Sequence, residues 1–200
     1  MSLKKNQKKL SFTVKIIITF FIIGILLGCL TGYLMKTSLY SPLIKIYNDI
    51  ISRMKNLDID KADIFLFSIR RNIKYYLILY IFSATNLWNI YYSSFMLYIG
   101  FSNGLLLSFN IILYGSSGCI RYLCYQFPQA VIFIPLYIIV ILHCCHFHRQ
   151  FTDCTDTAKK GKLLLQQFPF FICITIIISA CCLIEAWLNL PLVLWYSTVS

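Results

Sequence analysis

Glu185 is the one Asp or Glu inside the long apolar segments of this 200-residue chain. A carboxylate in such surroundings must be protonated, paired with a cation or in reach of water, because an isolated charge in hydrocarbon is strongly disfavoured. Gln129 and Asn110 are further polar residues within apolar stretches, and Arg121 stands at the end of one. With the alternating helix directions given below, Glu185 and Gln129 fall roughly 7–11 Å from the same end of their helices at about 1.5 Å per residue. Asn110 comes to a similar depth and Arg121 to the mouth. The convergence has two readings: a polar pocket for a partner or substrate, or interhelical hydrogen bonds that fix packing.

Pro128 and Pro135 lie seven residues apart on one apolar segment. Each removes a backbone donor and frees a carbonyl, so the segment is either a kinked helix or a broken one lining a cavity. The run His143-Cys144-Cys145-His146-Phe147-His148 is dense in metal-capable side chains. On a helix His143 and His146 share one face, and Cys144 and His148 another. Zinc or copper ligation is conceivable chemistry, but the spacing fits no standard zinc motif and no metal is expected. The nine cysteines form no CxxC pair, and most sit where a small apolar residue is wanted. No nucleophile–base pair, P-loop, dinucleotide-binding glycine motif or catalytic triad occurs, so neither an enzyme nor a cofactor is expected.

The elements that must position these residues follow from composition. Hydrophobic residues make up 59% of the chain and charged residues 12%, about half the charge of a soluble domain. The apolar excess must face lipid, which demands roughly 20 apolar residues per crossing. An all-α polytopic transmembrane bundle is expected, one integral membrane domain over 1–200. Its spans, about five, are placed at about 12–35, 73–89, 93–114, 122–145 and 168–190. The reversal between the second and third is placed near Trp88–Ser94. Leu26-Leu27-Gly28-Cys29 resembles a weak cleavage box, but the apolar run continues past it to spanning length, so an uncleaved first helix is expected.

Residues 36–72 form the longest connection. Leu43, Ile46, Tyr47, Ile50, Ile51, Met54 and Leu57 recur at helical spacing against Lys45, Asp49, Arg53 and Lys55, which predicts an amphipathic interfacial helix starting at Ser41-Pro42. A second short helix is expected from Asp63 to Asn72. The net charge of +11 comes from basic residues flanking apolar runs. They read as topology signals and contacts with anionic membrane lipids rather than as a nucleic-acid surface. Lys4, Lys5, Lys8 and Lys9 place the N-terminus in the cytoplasm and 146–167 on the same side, leaving 36–72 outside.

Two segments carry a resemblance. Phe127-Pro128-Gln129-Ala130-Val131-Ile132-Phe133-Ile134-Pro135 and Ile184-Glu185-Ala186-Trp187-Leu188-Asn189-Leu190-Pro191 resemble the stage II sporulation protein M family. Phe67-Ser68, Asn72-Ile73-Lys74 and Gly100-Phe101-Ser102-Asn103-Gly104 are similar as well. The resemblance implies a membrane protein of endospore formation, acting in the mother-cell and septal membrane during septal thinning and engulfment. It implies a scaffold that recruits two peptidoglycan-degrading partners, the stage II sporulation proteins P and D, and hydrolyses nothing itself. It also implies glycine near Ser108-Phe109-Asn110, so the serine there predicts a looser helix approach. The rival reading is the membrane subunit of a transporter, similar to an ABC-exporter permease, and a third is a metal transporter using His143–His148.

Overall fold

The computed structural model describes residues 2–56, 61–126, 129–154 and 156–189. The chain is an all-α bundle with no strand among the described residues. Its helices are α1 (Ser2–Leu34), α2 (Lys36–Asn56), α3 (Lys61–Ser83), α4 (Trp88–Tyr114), α5 (Ser117–Gln126), α6 (Gln129–Asp153), α7 (Thr157–Gln166) and α8 (Phe168–Ile184), the last running on as a π-helical turn, Glu185–Asn189. Among the described residues, four stretches are long and apolar enough to cross a membrane: Thr13–Leu34, Trp88–Tyr114, Val131–Asp153 and Lys159–Trp187. Helices answer the need of such sequences to satisfy every backbone group internally.

The tightest pairing joins α1 to α4. Gly24, Gly28 and Gly32 recur every fourth residue on α1 and lie against Gly100, Gly104 and Ser108 of α4. The partners advance in step, so the two helices run parallel. With no Cβ between them the backbones touch: an added Cβ at Gly24 would meet the Leu97 carbonyl and, at 2.9 Å, the Phe101 amide. Small residues at such spacing are what lets membrane helices approach. The approach does not loosen at Ser108, contrary to expectation. A Cβ on Gly32 would strike the Ser108 side chain, and the Ser108 hydroxyl donates to the Cys29 carbonyl at 3.3 Å. Serine is small enough to take the glycine's place, and it adds an interhelical bond.

The core lies between α3, α4, α6 and α8. Tyr76, Leu79, Tyr92, Met96, Val140, Ile141, Ile178 and Cys182 are buried there. Tyr76 stacks on Tyr137 at 5.1 Å and Phe95 meets Tyr137 edge-on at 5.3 Å, geometries in which aromatic pairs gain beyond their buried area. Tyr75–Phe95 and Phe82–Tyr91 contacts set α3 antiparallel to α4. Phe95–Tyr137 and Trp88–His148 contacts do the same for α6.

Three boundaries differ from the sequence expectation. The α3–α4 reversal falls at 84–87, not at Trp88–Ser94. Ser83 and Thr85 donate back to the Tyr80 and Phe82 carbonyls at 2.6 and 2.8 Å, supplying donors for groups a helix end leaves free. His148 Nδ1 donates to the Ser83 carbonyl at 2.8 Å and ties α6 to the same turn. Second, α3 begins at Lys61, so the stretch expected as a separate helix over Asp63–Asn72 is its first half. Its stripe Phe65, Ser68, Asn72, Tyr76, Leu79 and Ser83 faces inward without interruption, while Arg70 and Lys74 point outward. Third, the segment expected over 122–145 falls in α5, described to Gln126, and α6, described from Gln129. The amphipathic helix α2 starts at Lys36 rather than Ser41, with Pro42 inside it.

Candidate functional site

The end of α5 and the first half of α6 sit beside a polar cavity. Gly115, with φ +61°, turns the chain back after α4. Gly118 then lets α5 lie on the end of α4, where a Cβ would collide with the Asn110 carbonyl. From there α5 descends alongside α4. Tyr122 and Gln126 both donate to Asn103 Oδ1 at 3.1 Å, while Asn103 Nδ2 donates to the Ile99 carbonyl at 2.7 Å. Gln126 thus ends level with Asn103, well inside the span of α4, and α6 resumes from that level. The stretch Val131–Asp153 of α6 is by itself long and apolar enough to cross a membrane, and α5 packs beside α4 ahead of it.

The cavity measures about 310 Å³. Arg71, Asn72 and Tyr75 of α3 form one wall, Tyr98, Ser102 and Asn103 of α4 the facing one, and Gln126 of α5 with Phe133 and Tyr137 of α6 close it. Asn72 is 3% exposed and fully engaged: its Nδ2 donates to the Ser68 carbonyl at 2.9 Å and to Cys182 Sγ at 3.6 Å, and Tyr137 donates to its Oδ1 at 3.4 Å. Arg71 links the cavity to α8 through an ion pair with Glu185 at 3.7 Å. Burying two charges together is tolerable where each would be prohibitive alone. The π-helical turn beginning at Glu185 marks the same place, since such turns insert an extra residue and re-aim the side chains around them.

The polar residues expected from sequence are distributed along this system. Glu185 joins Arg71. Asn110 donates to its own helix at the Leu106 carbonyl, 2.8 Å. Arg121 is buried with its guanidinium 3.6 Å from the centre of the Tyr114 ring, a cation–π contact at the α4–α5 corner. Gln129 is the first residue of α6; its side chain and Pro128 lie outside the described residues. Pro135 is exposed within α6.

Sequence reasoning missed Arg71, Asn72, Asn103 and Gln126. The signal for Asn72 was the inward stripe of α3, which crosses it without a break.

The metal-capable residues diverge. His143 Nε2 donates to Gln167 Oε1 and its ring stacks on Phe170. His146 is exposed and accepts from Gln150 at 3.2 Å. Cys144 is buried in the core, and His148 serves the Ser83 carbonyl. Among the described residues no three His, Cys, Asp or Glu side chains gather as a metal site.

Asn103 is the hub holding α5 to α4. Asn103→Leu should free α5 and cost about 1–3 kcal/mol, the range for stranding buried hydrogen-bonding groups. The half-buried Cys124 reports this: maleimide labelling at that residue, located by mass spectrometry, should accelerate relative to Cys144.

A model of the family described as stage II sporulation protein M matches residues 17–188. Neither the curated proteins nor the solved structures compared with the chain gave a match.

Proposed function

Because this chain belongs to the stage II sporulation protein M family, a family of sporulation membrane proteins, we propose that it is a scaffold for cell-wall hydrolases. In this role it holds the stage II sporulation proteins P and D at the septal membrane of the mother cell. There they thin septal peptidoglycan and drive engulfment of the forespore. The protein itself supplies position, not chemistry. Its N-terminus and α7 lie in the cytoplasm, in keeping with Lys159, Lys160 and Lys162. The α2 and α5 end of the bundle faces the hydrolases.

The observation that carries this reading beyond the family is α2. It is amphipathic, joins the far end of α1 to α3, and leaves Tyr40 and Ile46 exposed. Exposed apolar side chains on a helix too polar to span are suited to a membrane surface or to a partner. The double change Tyr40→Glu with Ile46→Glu should leave the protein folded, because neither side chain is buried. It should lower recovery of the tagged hydrolases with this protein at least tenfold, about 1.4 kcal/mol. Undiminished recovery would remove α2 from the docking surface. Gene expression confined to sporulation would agree with the scaffold role, whereas constitutive expression would oppose it.

The polar cavity between α3, α4, α5 and α6 favours a second reading, a transporter subunit, since substrate sites lie between the helices of bundles. An ATPase gene beside this one would favour the transporter, and neighbouring sporulation genes the scaffold.

A further inference from the structure

The cavity holds an arginine at a depth where only acyl chains lie outside the protein. The apolar stretch of α1, Thr13–Leu34, is centred on Gly24, which rests on Gly100 of α4. Ser102 and Asn103 follow Gly100 by less than a helical turn, about 3–5 Å at 1.5 Å per residue. Arg71 faces them across the cavity, so its backbone is near the bilayer centre. The Arg71 side chain is nonetheless 42% exposed, and across the opening Tyr98 and Leu106 are 54% and 46% exposed. The cavity therefore opens sideways, between α3 and α4, toward lipid. A guanidinium facing hydrocarbon there is strongly disfavoured. Glu185 meets it through one oxygen at 3.7 Å, a distance that leaves most of its five donors available. None of the residues lining the cavity is acidic, and the hydroxyl-bearing residues Tyr75, Tyr98 and Ser102 line it together with Arg71.

We propose that this lateral cavity is a binding site for a phosphate group, carried as the headgroup of a membrane lipid that enters between α3 and α4. Guanidinium and hydroxyl donors around a space of about 310 Å³ suit a tetrahedral oxyanion, and charge-assisted bonds to phosphate are the strongest such a site can make. The acyl chains stay outside along α3 and α4. This surface is separate from the α2 end, so its failure would leave the scaffold reading untouched.

The full chain in nanodiscs containing both phosphatidylglycerol and diacylglycerol, examined by native mass spectrometry, tests this. The wild type should retain the phospholipid over the phosphate-free lipid. Arg71→Gln combined with Glu185→Gln, which strands no carboxylate, should lower that preference about tenfold, the factor one charge-assisted hydrogen bond of about 1.4 kcal/mol implies. Tyr98→Phe and Ser102→Ala, which leave the hydrocarbon packing in place, should lower it measurably, and Arg70→Gln, next door and outside the cavity, should not. Retention that millimolar inorganic phosphate leaves unchanged identifies the lipid as the source. Displacement by inorganic phosphate, with a rise in the melting temperature, keeps the phosphate site but assigns it to the free ion. Equal retention of both lipids, or indifference to the Tyr98, Ser102 and Arg71 changes, would overturn the proposal.

Discussion

Gly28→Leu is expected to prevent α1 from docking and so to abolish a folded product. A Cβ at Gly28 would overlap the Phe101 carbonyl and lie 2.8 Å from the Leu105 amide and 3.0 Å from the Gly104 Cα. All three obstacles are backbone atoms of α4, so no rotamer change relieves them. The helices must separate, and the contacts at Gly24 and Gly32 open with them. Overpacking that side chains can absorb costs about 1–3 kcal/mol; a backbone collision repeated along the seam should exceed that, against a total stability of roughly 5–15 kcal/mol. Gly161→Ala is the matched control. Nothing lies within 4 Å of its Cβ position in α7, and alanine there should stabilise the helix by about 0.5–1 kcal/mol. The readouts are the monodisperse fraction after detergent extraction and the thermal midpoint. A Gly28→Leu protein melting at the wild-type temperature would disprove the backbone contact.

The second large effect is at the ion pair. Arg71→Leu removes the guanidinium from beside Glu185, which is only 14% exposed. Removing one partner of a buried pair costs about 3–5 kcal/mol, and the partial exposure of Arg71 places this case toward the lower figure. Glu185→Gln should cost less, since the amide oxygen can still accept from the Arg71 guanidinium. Arg71→Leu together with Glu185→Leu should recover most of the loss, because replacing both charges removes the desolvation penalty as well as the attraction. The double-mutant cycle is the measurement: a coupling of about 2 kcal/mol is expected for residues in contact. Additive losses would mean that the two charges do not stabilise each other.

The particular residues show what could be read from the chain beforehand. The apolar runs that became α1, α4, α6 and α8 were legible because lipid demands length and hydropathy, and both are written directly in composition. Helix α3 was legible only in its second half. Arg70, Arg71 and Lys74 argue for an aqueous loop when taken as charges, and only the partner supplied by α8 makes Arg71 acceptable inside. That partner is more than a hundred residues away in sequence, so no local pattern announces it. Glu185 was singled out as a carboxylate needing a partner, and the pair with Arg71 gives it one. The proline pair was read as a kink or a break. Pro128 lies outside the described residues and Pro135 stands inside α6, while Asn103, on a different helix, accepts from Gln126 at the end of α5. The four-residue glycine spacing on α1 was present in the sequence, but its partner stripe on α4 becomes apparent only when the parallel alignment is seen.

The α1–α4 seam is closed by backbone contact, and the core of α3, α4, α6 and α8 is rich in aromatic contacts. What varies along the bundle is its α2 and α5 end and the lateral cavity, where other molecules can meet it.

The most direct test of the scaffold role is the position of fluorescently tagged stage II sporulation proteins P and D in sporulating cells lacking this protein. The role predicts that both lose their enrichment at the septum and that septal thinning stalls, with recovery on expression of the wild-type chain. Normal septal localisation of both hydrolases in those cells would contradict it.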